Sequence, residues 1–382
     1  MVWASEFSWL LWALPLGLAG FIGLGWWLRG YEQRQWQSSR KAGPQAYFRG
    51  LSHLLNERQD EAIDAFIEAT QHDAETSELH FALGNLFRRR GDYDRAIRVH
   101  EHLLQRGDLK TADRQRAQHE LALDFLKAGL LDRAETAMQR LLETPLADEA
   151  RLALLGIYER ARDWPQASVT AAQLNGRSAG SFNSRLAHHQ CEMAQDALRR
   201  GDDAQAEQHL HAALHELPHH SRALMDLSAL QAQQGHLAAA LNTLLRCAES
   251  QPRSLPLLAK RLASLAQQLP DRRDQVLDLL SQAHAQAASV DVTLALLTLD
   301  PARRGHWLSS HLSRELSLCI AAEALQDQAD LPAHSLQAVK HAASPLQRYR
   351  CAACGFETHA YFWQCPGCQS WDSFPARRAE EL

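Results

Sequence analysis

Four cysteines near the C-terminus form two pairs whose spacing is typical of a metal site. Two residues separate the members of each pair, Cys351 and Cys354 or Cys365 and Cys368, and ten residues separate the pairs. A short hairpin can bring four such thiolates to the corners of a tetrahedron. Soft thiolate ligands select zinc or iron over hard cations. The sequence therefore predicts one metal ion, iron or zinc, held by these four side chains.

Three other interpretations of the cysteines are weaker. Seven cysteines in 382 residues are too few for a disulfide framework. Neighbouring aromatic rings could stack on bases, but a net charge of -5 and few flanking arginines disfavour nucleic acid. Four thiolates leave no coordination position for water, which disfavours metal-dependent hydrolysis. Electron transfer by iron stays open.

The cysteine module is too small to fold on its apolar core alone, so the metal must stabilise it. Gly355 and Gly367, with Pro366, supply the tight turns beside the sulfurs. Its aromatic residues are unusually numerous for its size. We expect them to pack around the hairpin and to dock the module onto the last helices of the chain: Tyr349, Phe356, Tyr361, Phe362, Trp363 and Trp371.

The remaining histidines and cysteines predict no second reactive site. His211 and His215 lie four residues apart, with His219 and His220 just beyond, but no third ligand completes a metal site. We interpret all four as exposed helix residues. The cysteines of the helical segments occupy interior-type positions and are interpreted as inert core residues: Cys191, Cys247 and Cys319. No constellation of nucleophile, base and oxyanion donors is evident, so we expect no enzyme.

A membrane anchor is predicted over residues 9–28, WLLWALPLGLAGFIGLGWWL, which carry no charge and match a bilayer core of roughly 30 Å. A cleaved signal peptide is disfavoured because Glu6 and no basic residue precede the apolar run. Ala19 and Gly23 permit close pairing of two anchors in a homo-oligomer. The basic residues that follow predict a periplasmic N-terminus and a cytoplasmic bulk: Arg29, Arg34, Arg40 and Lys41.

Internal repeats follow the anchor. A step of 34 residues relates Gly50 to Gly84 and Ala62 to Ala96, which is the tetratricopeptide period. The alanine landmark returns at four later positions, and glycines mark most of the turns within the units: Ala134, Ala167, Ala206 and Ala240, with Gly91, Gly129, Gly201 and Gly235. These landmarks predict six repeats over residues 44–252. Helical spacing without landmarks predicts degenerate repeats over residues 253–343.

Stacked tetratricopeptide units form a superhelix whose concave groove is lined by the first helix of each unit and binds polypeptide. Projecting each unit onto this scheme predicts a basic stripe, which an acidic or carboxylate-bearing partner segment would suit. For any one of the arginines, a solvated surface is the simpler interpretation. The predicted groove residues are Asn85, Arg88, Arg89, Arg116, His119, Lys127, Arg160, Arg199 and Arg222.

The order of anchor, repeats and rubredoxin-like module resembles the lipopolysaccharide assembly protein B family (LapB, also called YciM) of Gram-negative bacteria. The most specific parts are the ending RYRCAACGF and YFWQCPGC, with the four cysteines in the metal positions, and the anchor that leads directly into repeats. The resemblance implies an inner-membrane adaptor that helps the membrane protease FtsH to degrade the deacetylase LpxC. It also implies other inner-membrane partners, including the regulator LapC (YejM).

The predicted fold is therefore all-α, a right-handed tetratricopeptide superhelix with an N-terminal transmembrane helix and a C-terminal four-cysteine knuckle. The competing hypothesis is a membrane-tethered, rubredoxin-like electron-transfer protein that docks a redox partner. The predicted segments are a periplasmic N-terminus (1–8), the anchor (9–28), a basic linker (29–43), six repeats (44–252), degenerate repeats (253–343) and the metal-binding module (344–382).

Overall fold

The structure is a computed structural model that describes residues 77–176, 181–328 and 332–382, and a few isolated positions between 49 and 65. The predicted anchor, 9–28, and most of the first predicted repeat lie outside the described residues. Among the helices of the described ranges, none combines the length and the apolar composition that crossing a bilayer requires.

The described chain is almost entirely helical, and successive helices pack against each other in pairs. The helices are α1 (Ser77–Arg90), α2 (Tyr93–Gln105), α3 (Thr111–Lys127), α4 (Leu131–Gln139), α5 (Ala147–Ala161), α6 (Trp164–Leu174), α7 (Asn183–Arg199), α8 (Asp203–Glu216), α9 (Ser221–Gln233), α10 (Leu237–Ser250), α11 (Leu255–Gln268), α12 (Arg273–Gln286), α13 (Val290–Leu299), α14 (Arg304–Leu312), α15 (Leu318–Leu325) and α16 (Ala333–Ala343). Two short strands follow, β1 (Tyr349–Arg350) and β2 (Glu357–Thr358), which pair antiparallel.

The helix pairs from α1 to α10 confirm the tetratricopeptide prediction. All five landmark alanines in the described chain have no exposed surface: Ala96, Ala134, Ala167, Ala206 and Ala240. Gly84 serves the same packing, because a Cβ atom there would lie 2.3 Å from the His100 ring. In the fourth unit, Asp163 caps α6 by accepting a hydrogen bond from the backbone N–H of Gln166, 3.2 Å away.

The degenerate region also folds as helix pairs, α11 to α16. Its landmarks fade because two of its turns are built differently. A 3-10 turn that begins with a proline joins α11 to α12 at Pro270 and α13 to α14 at Pro301, where the earlier pairs use a left-handed residue. Proline pre-sets the backbone for the first turn of a helix, so no glycine is required.

The described part of the chain divides into two compact units, and the boundary, between residues 157 and 158, falls within α5. The second unit has a continuous apolar core through α9 to α15, in which Leu258, Leu262, Leu280 and Leu296 have no exposed surface. The cysteine module belongs to this second unit.

Candidate metal centre and docking surface

The two cysteine pairs lie on two loops of the same construction. In the first, the backbone N–H of Gly355 donates to the carbonyl of Cys351 over 2.9 Å, and Gly355 has φ +78°. In the second, the N–H of Gln369 donates to the carbonyl of Cys365 over 2.8 Å, and Gln369 has φ 62°. The left-handed residue of the second loop is therefore Gln369, not a glycine, which costs free energy because of its Cβ atom.

The four sulfur atoms lie within 4.8 Å of one another. Cys351 Sγ is 3.8 Å from Cys368 Sγ, and Cys354 Sγ is 3.7 Å from Cys365 Sγ. A tetrahedral ion with metal–sulfur bonds of about 2.3 Å requires sulfur–sulfur edges of about 3.8 Å. A disulfide requires about 2.05 Å, so neither pair is a disulfide. The cluster fits one zinc or iron ion with four thiolate ligands.

Neighbouring donors favour the thiolate form at two of these cysteines. Burial opposes ionisation of Cys351, but the Ser373 hydroxyl, 3.3 Å from its sulfur, and backbone N–H groups lower its pKa to about 6. The Ser370 hydroxyl and backbone lower the pKa of Cys368. At Cys354 the backbone N–H of Phe356 favours ionisation, yet the crowded sulfurs raise the pKa. Four thiolates at these distances require a cation to offset their charge.

The module docks onto α7 through the two residues that follow its second loop. The Trp371 ring stacks on His188 with centroids 4.5 Å apart. His188 Nε2 donates to Asp372 Oδ1 over 2.9 Å, and the Ser184 hydroxyl donates to Asp372 Oδ2 over 2.9 Å. Asp372 has φ 51°, a left-handed conformation, so the backbone is strained at a residue that makes the contact.

A buried carboxylate on α5 extends this interface. Glu159 is 5% exposed, and its Oε1 accepts hydrogen bonds from Trp371 Nε1 at 3.1 Å and His189 Nε2 at 2.9 Å. Next to it, Arg160 Nε donates to Gln369 Oε1 over 2.7 Å. Both left-handed non-glycine residues of the module, Gln369 and Asp372, therefore contact the repeat array.

The C-terminal tail fastens the module to later helices. Arg378 forms a bidentate ion pair with Asp291 of α13 at 2.7 and 2.8 Å. Glu381 accepts from the N-terminal N–H of α13 at 2.9 Å, and Glu380 accepts from the N-terminal N–H of α15 at 3.1 Å. Negative charge is favourable at both helix N-termini. The apolar contact is made by Leu257 of α11, which packs against the module core.

The module docks onto helices, as its aromatic residues predicted, but the prediction named only some of the helices that it contacts. Tyr349 and Tyr361 pack around the module's own core, as expected. Docking, however, reaches α5 and α7 in the middle of the array as well as the last helices. Asp372, His188 and Glu159 were missed, because no local pattern relates residues 184 to 212 positions apart.

Most of the predicted groove residues are held in ion pairs or hydrogen bonds. Arg88 pairs with Glu120 at 2.6 Å and Asp124 at 2.9 Å, and Asn85 accepts from the same guanidinium. Arg116 pairs with Glu78 at 2.6 Å, Arg160 binds the module, and Arg199 pairs with Asp196. The stripe is therefore much less positive than the list of its residues suggests.

The other groove residues differ in exposure. Arg89 and Lys127 are exposed and pair with no described residue. His119 is half-buried, and burial lowers its pKa. Arg222 corrects the projection: it is only 3% exposed, and its NH2 group donates to Glu192 Oε1 over 2.8 Å.

Among the remaining residues, His211, His215 and His219 are exposed, as predicted. His220 is only 5% exposed, so the prediction of an exposed residue was wrong here. Its ring centroid lies 4.4 Å from the ring centroid of His188. The helical cysteines are all buried, which confirms their interpretation, and burial raises the pKa of each thiol: Cys191, Cys247 and Cys319.

Two family profiles and two relatives of known name match this chain. The profile described as the rubredoxin metal binding domain matches residues 349–375, and the tetratricopeptide repeat profile matches residues 47–106 and 191–254. Lipopolysaccharide assembly protein B of Escherichia coli (strain K12) is 28% identical over 377 residues, which cover 94% of this chain and 96% of that protein. The protein of the same name from Haemophilus influenzae is 28% identical over 387 residues, with the same coverage. Among solved structures, a crystal structure of MamA matches at 17% identity with a TM-score of 0.33, covering 47% of this chain and 94% of that chain.

Proposed function

We propose that this chain, a relative of lipopolysaccharide assembly protein B along nearly its whole length, is an adaptor that regulates lipopolysaccharide synthesis. In the specific form of the proposal, it promotes degradation of the deacetylase LpxC by the membrane protease FtsH. The support is the family resemblance together with a fold whose known use is polypeptide binding.

One structural observation carries the proposal: the metal module is fastened to the repeat array rather than tethered loosely beside it. Trp371 and Asp372 contact α7, and Arg378 contacts α13. The contacted residues of these two helices, His188 and Asp291, are more than a hundred positions apart in the sequence. Loss of the metal would therefore release contacts at both places. In this proposal the metal has a structural task, because it holds together the second unit of a protein-binding scaffold.

The location of the chain is part of the proposal. The predicted anchor at residues 9–28 would hold the array at the cytoplasmic face of the inner membrane, beside a membrane protease. Tethering raises the effective concentration of a bound client near that protease. The regulator LapC (YejM) would act on the same anchored protein.

The experiment replaces Cys351 and Cys354 by serine in a Gram-negative host that depends on this chain, and follows the half-life of LpxC. We expect the half-life to lengthen several-fold. His359→Ala is the matched control, because His359 is exposed and lies between the cysteine pairs. Unchanged turnover in the cysteine variant would refute a required metal module. A chain that lacks residues 1–28 tests the tether in the same assay.

The competing function is electron transfer by iron in the same site. The exposure of Cys354 and Cys368 favours it, because an exposed sulfur edge can face a redox partner. Metal analysis of untagged protein separates the two functions. A zinc form that supports normal LpxC turnover would exclude electron transfer, whereas activity restricted to the iron form would support it.

A further inference from the structure

One turn of the repeat array departs from the other four. In the first five described helix pairs, a residue one or two positions after the first helix has a left-handed conformation, and the next N–H donates back to the carbonyl five residues earlier at 2.8 to 3.0 Å. Four of these turns use glycine, with φ between 78° and 83°. The turn between α5 and α6 uses Arg162, with φ 58°. A left-handed conformation costs a residue with a side chain roughly 1 kcal/mol relative to glycine. An arginine at this position is therefore a candidate for a functional role.

The Arg162 side chain lines a cavity of about 320 Å³ between the array and the metal module. Two more arginines line it from the array, Arg199 and Arg222. The module contributes aromatic walls, including Trp363 and Phe362, and the ring of Phe362 is 39% exposed. The cavity therefore combines guanidinium groups with apolar surface.

Arg222, which lines this cavity, is buried and has unused hydrogen-bonding capacity. Its NH2 group donates to Glu192 and its Nε lies 3.6 Å from Asp226, yet NH1 has no hydrogen-bond partner within the described part of the chain. A buried donor without an acceptor costs about 1 to 3 kcal/mol. Arg162 likewise pairs with no described residue.

We infer that this cavity binds a carboxylate side chain of a partner polypeptide, next to an aromatic residue of the same segment. The inference rests on the proposed adaptor function and deepens it by locating a partner site. A carboxylate in the cavity gives the exposed guanidinium of Arg162 an ion pair, and it places negative charge beside the buried guanidinium of Arg222. The adjacent ring packs on Phe362 and Trp363.

The size and charge of the cavity limit the ligand. A volume of about 320 Å³ lies at the small end of ligand pockets and accommodates one or two side chains rather than a folded surface. Glu192 already lies in the cavity beside Arg222, and Asp196 pairs with Arg199. The free positive charge is therefore that of Arg162, so binding should depend most on this residue.

The probe is an acetylated and amidated peptide, Gly-Ser-Glu-Phe-Glu-Ser-Gly, titrated calorimetrically at low salt into the full chain in detergent micelles. The reference probe has both glutamates replaced by glutamine. One charge-assisted hydrogen bond predicts about ten-fold tighter binding of the glutamate peptide. Equal affinity for the two peptides, or no binding of either, would overturn the inference.

Arg162→Gly is the decisive variant, because the other four turns already use glycine and the fold is expected to persist. We expect the glutamate peptide to bind about ten-fold more weakly while the melting temperature does not fall. Arg162→Lys should retain part of the affinity, since it keeps the charge. Arg253→Ala, an exposed arginine outside this cavity, is the control for net charge. Unchanged binding by Arg162→Gly would overturn the proposed site.

The peptide titration uses the purified chain alone, so its result does not depend on LpxC turnover. Normal turnover with no peptide binding refutes the cavity while it leaves the adaptor function standing. Peptide binding in a chain that has no effect on LpxC refutes the adaptor function and supports the cavity as a site for a different partner.

Discussion

Acidification should destabilise the α7–α9 interface beneath the metal module. We expect His220 to be the main source of this pH dependence. Burial is the main reason why the pKa of His220 falls from 6.5 to about 3, and His188 and Arg222 add to the effect while Asp372 opposes it. Burial also lowers the pKa of His188. The His220 ring is therefore neutral in the folded chain at neutral pH.

The sign and size of the effect follow from proton linkage. Below about pH 6.5 the unfolded chain takes up a proton at His220 and the folded chain does not, so stability is present at neutral pH and is lost as the pH falls. Between about pH 7.5 and about pH 5, this single ring removes about 2 kcal/mol of the free energy of unfolding. Asp372 does not contribute in this window, because its lowered pKa moves its titration below about pH 4.

Hydrogen exchange of the full chain measures this change as the protection of α7 and α9, corrected for intrinsic exchange at each pH. His220→Asn is the matched variant, since His220 is the N-cap of α9 and asparagine caps helices well. We expect protection in the wild type to fall about thirty-fold more than in the variant. Equal losses in both proteins would refute the assignment of the proton to His220.

Three further predictions concern packing, docking and the metal. Gly84→Ala should destabilise the first unit by about 1 to 3 kcal/mol in urea unfolding, because the added Cβ meets the His100 ring. When His100 is also replaced by alanine, the loss of unfolding free energy should be smaller than the sum of the losses in the two single variants. Trp371→Ala should release the module at a cost of about 3 kcal/mol, seen as faster hydrogen exchange in residues 349–375, whereas Phe356→Ala, at a 40% exposed ring, should not. Removal of the metal by a chelator should abolish protection of the same module and leave α1 to α4 protected, and retained protection there would contradict a structural metal.

Local sequence patterns predict that the module docks, but not where it docks. The sequence predicted that the aromatic rings would hold the module to helices, because their number exceeds what so small a core can bury. It did not identify α7 as the main contact, because Trp371 and His188 are 183 positions apart and neither residue belongs to a spaced motif. Arg222 was misplaced for a related reason: helical periodicity gives the direction of a side chain but not what covers it.

The sequence by itself determined the features whose physics is local. Two cysteine pairs at ligand spacing specify a four-thiolate site, and alanines or glycines that recur every 33 to 39 residues specify helix pairs that pack closely. Tertiary structure alone decided which charges remain available. Ion pairs neutralise most of the predicted basic stripe, while the turn at Arg162 keeps its charge, because pairing depends on the neighbours that folding brings within about 4 Å.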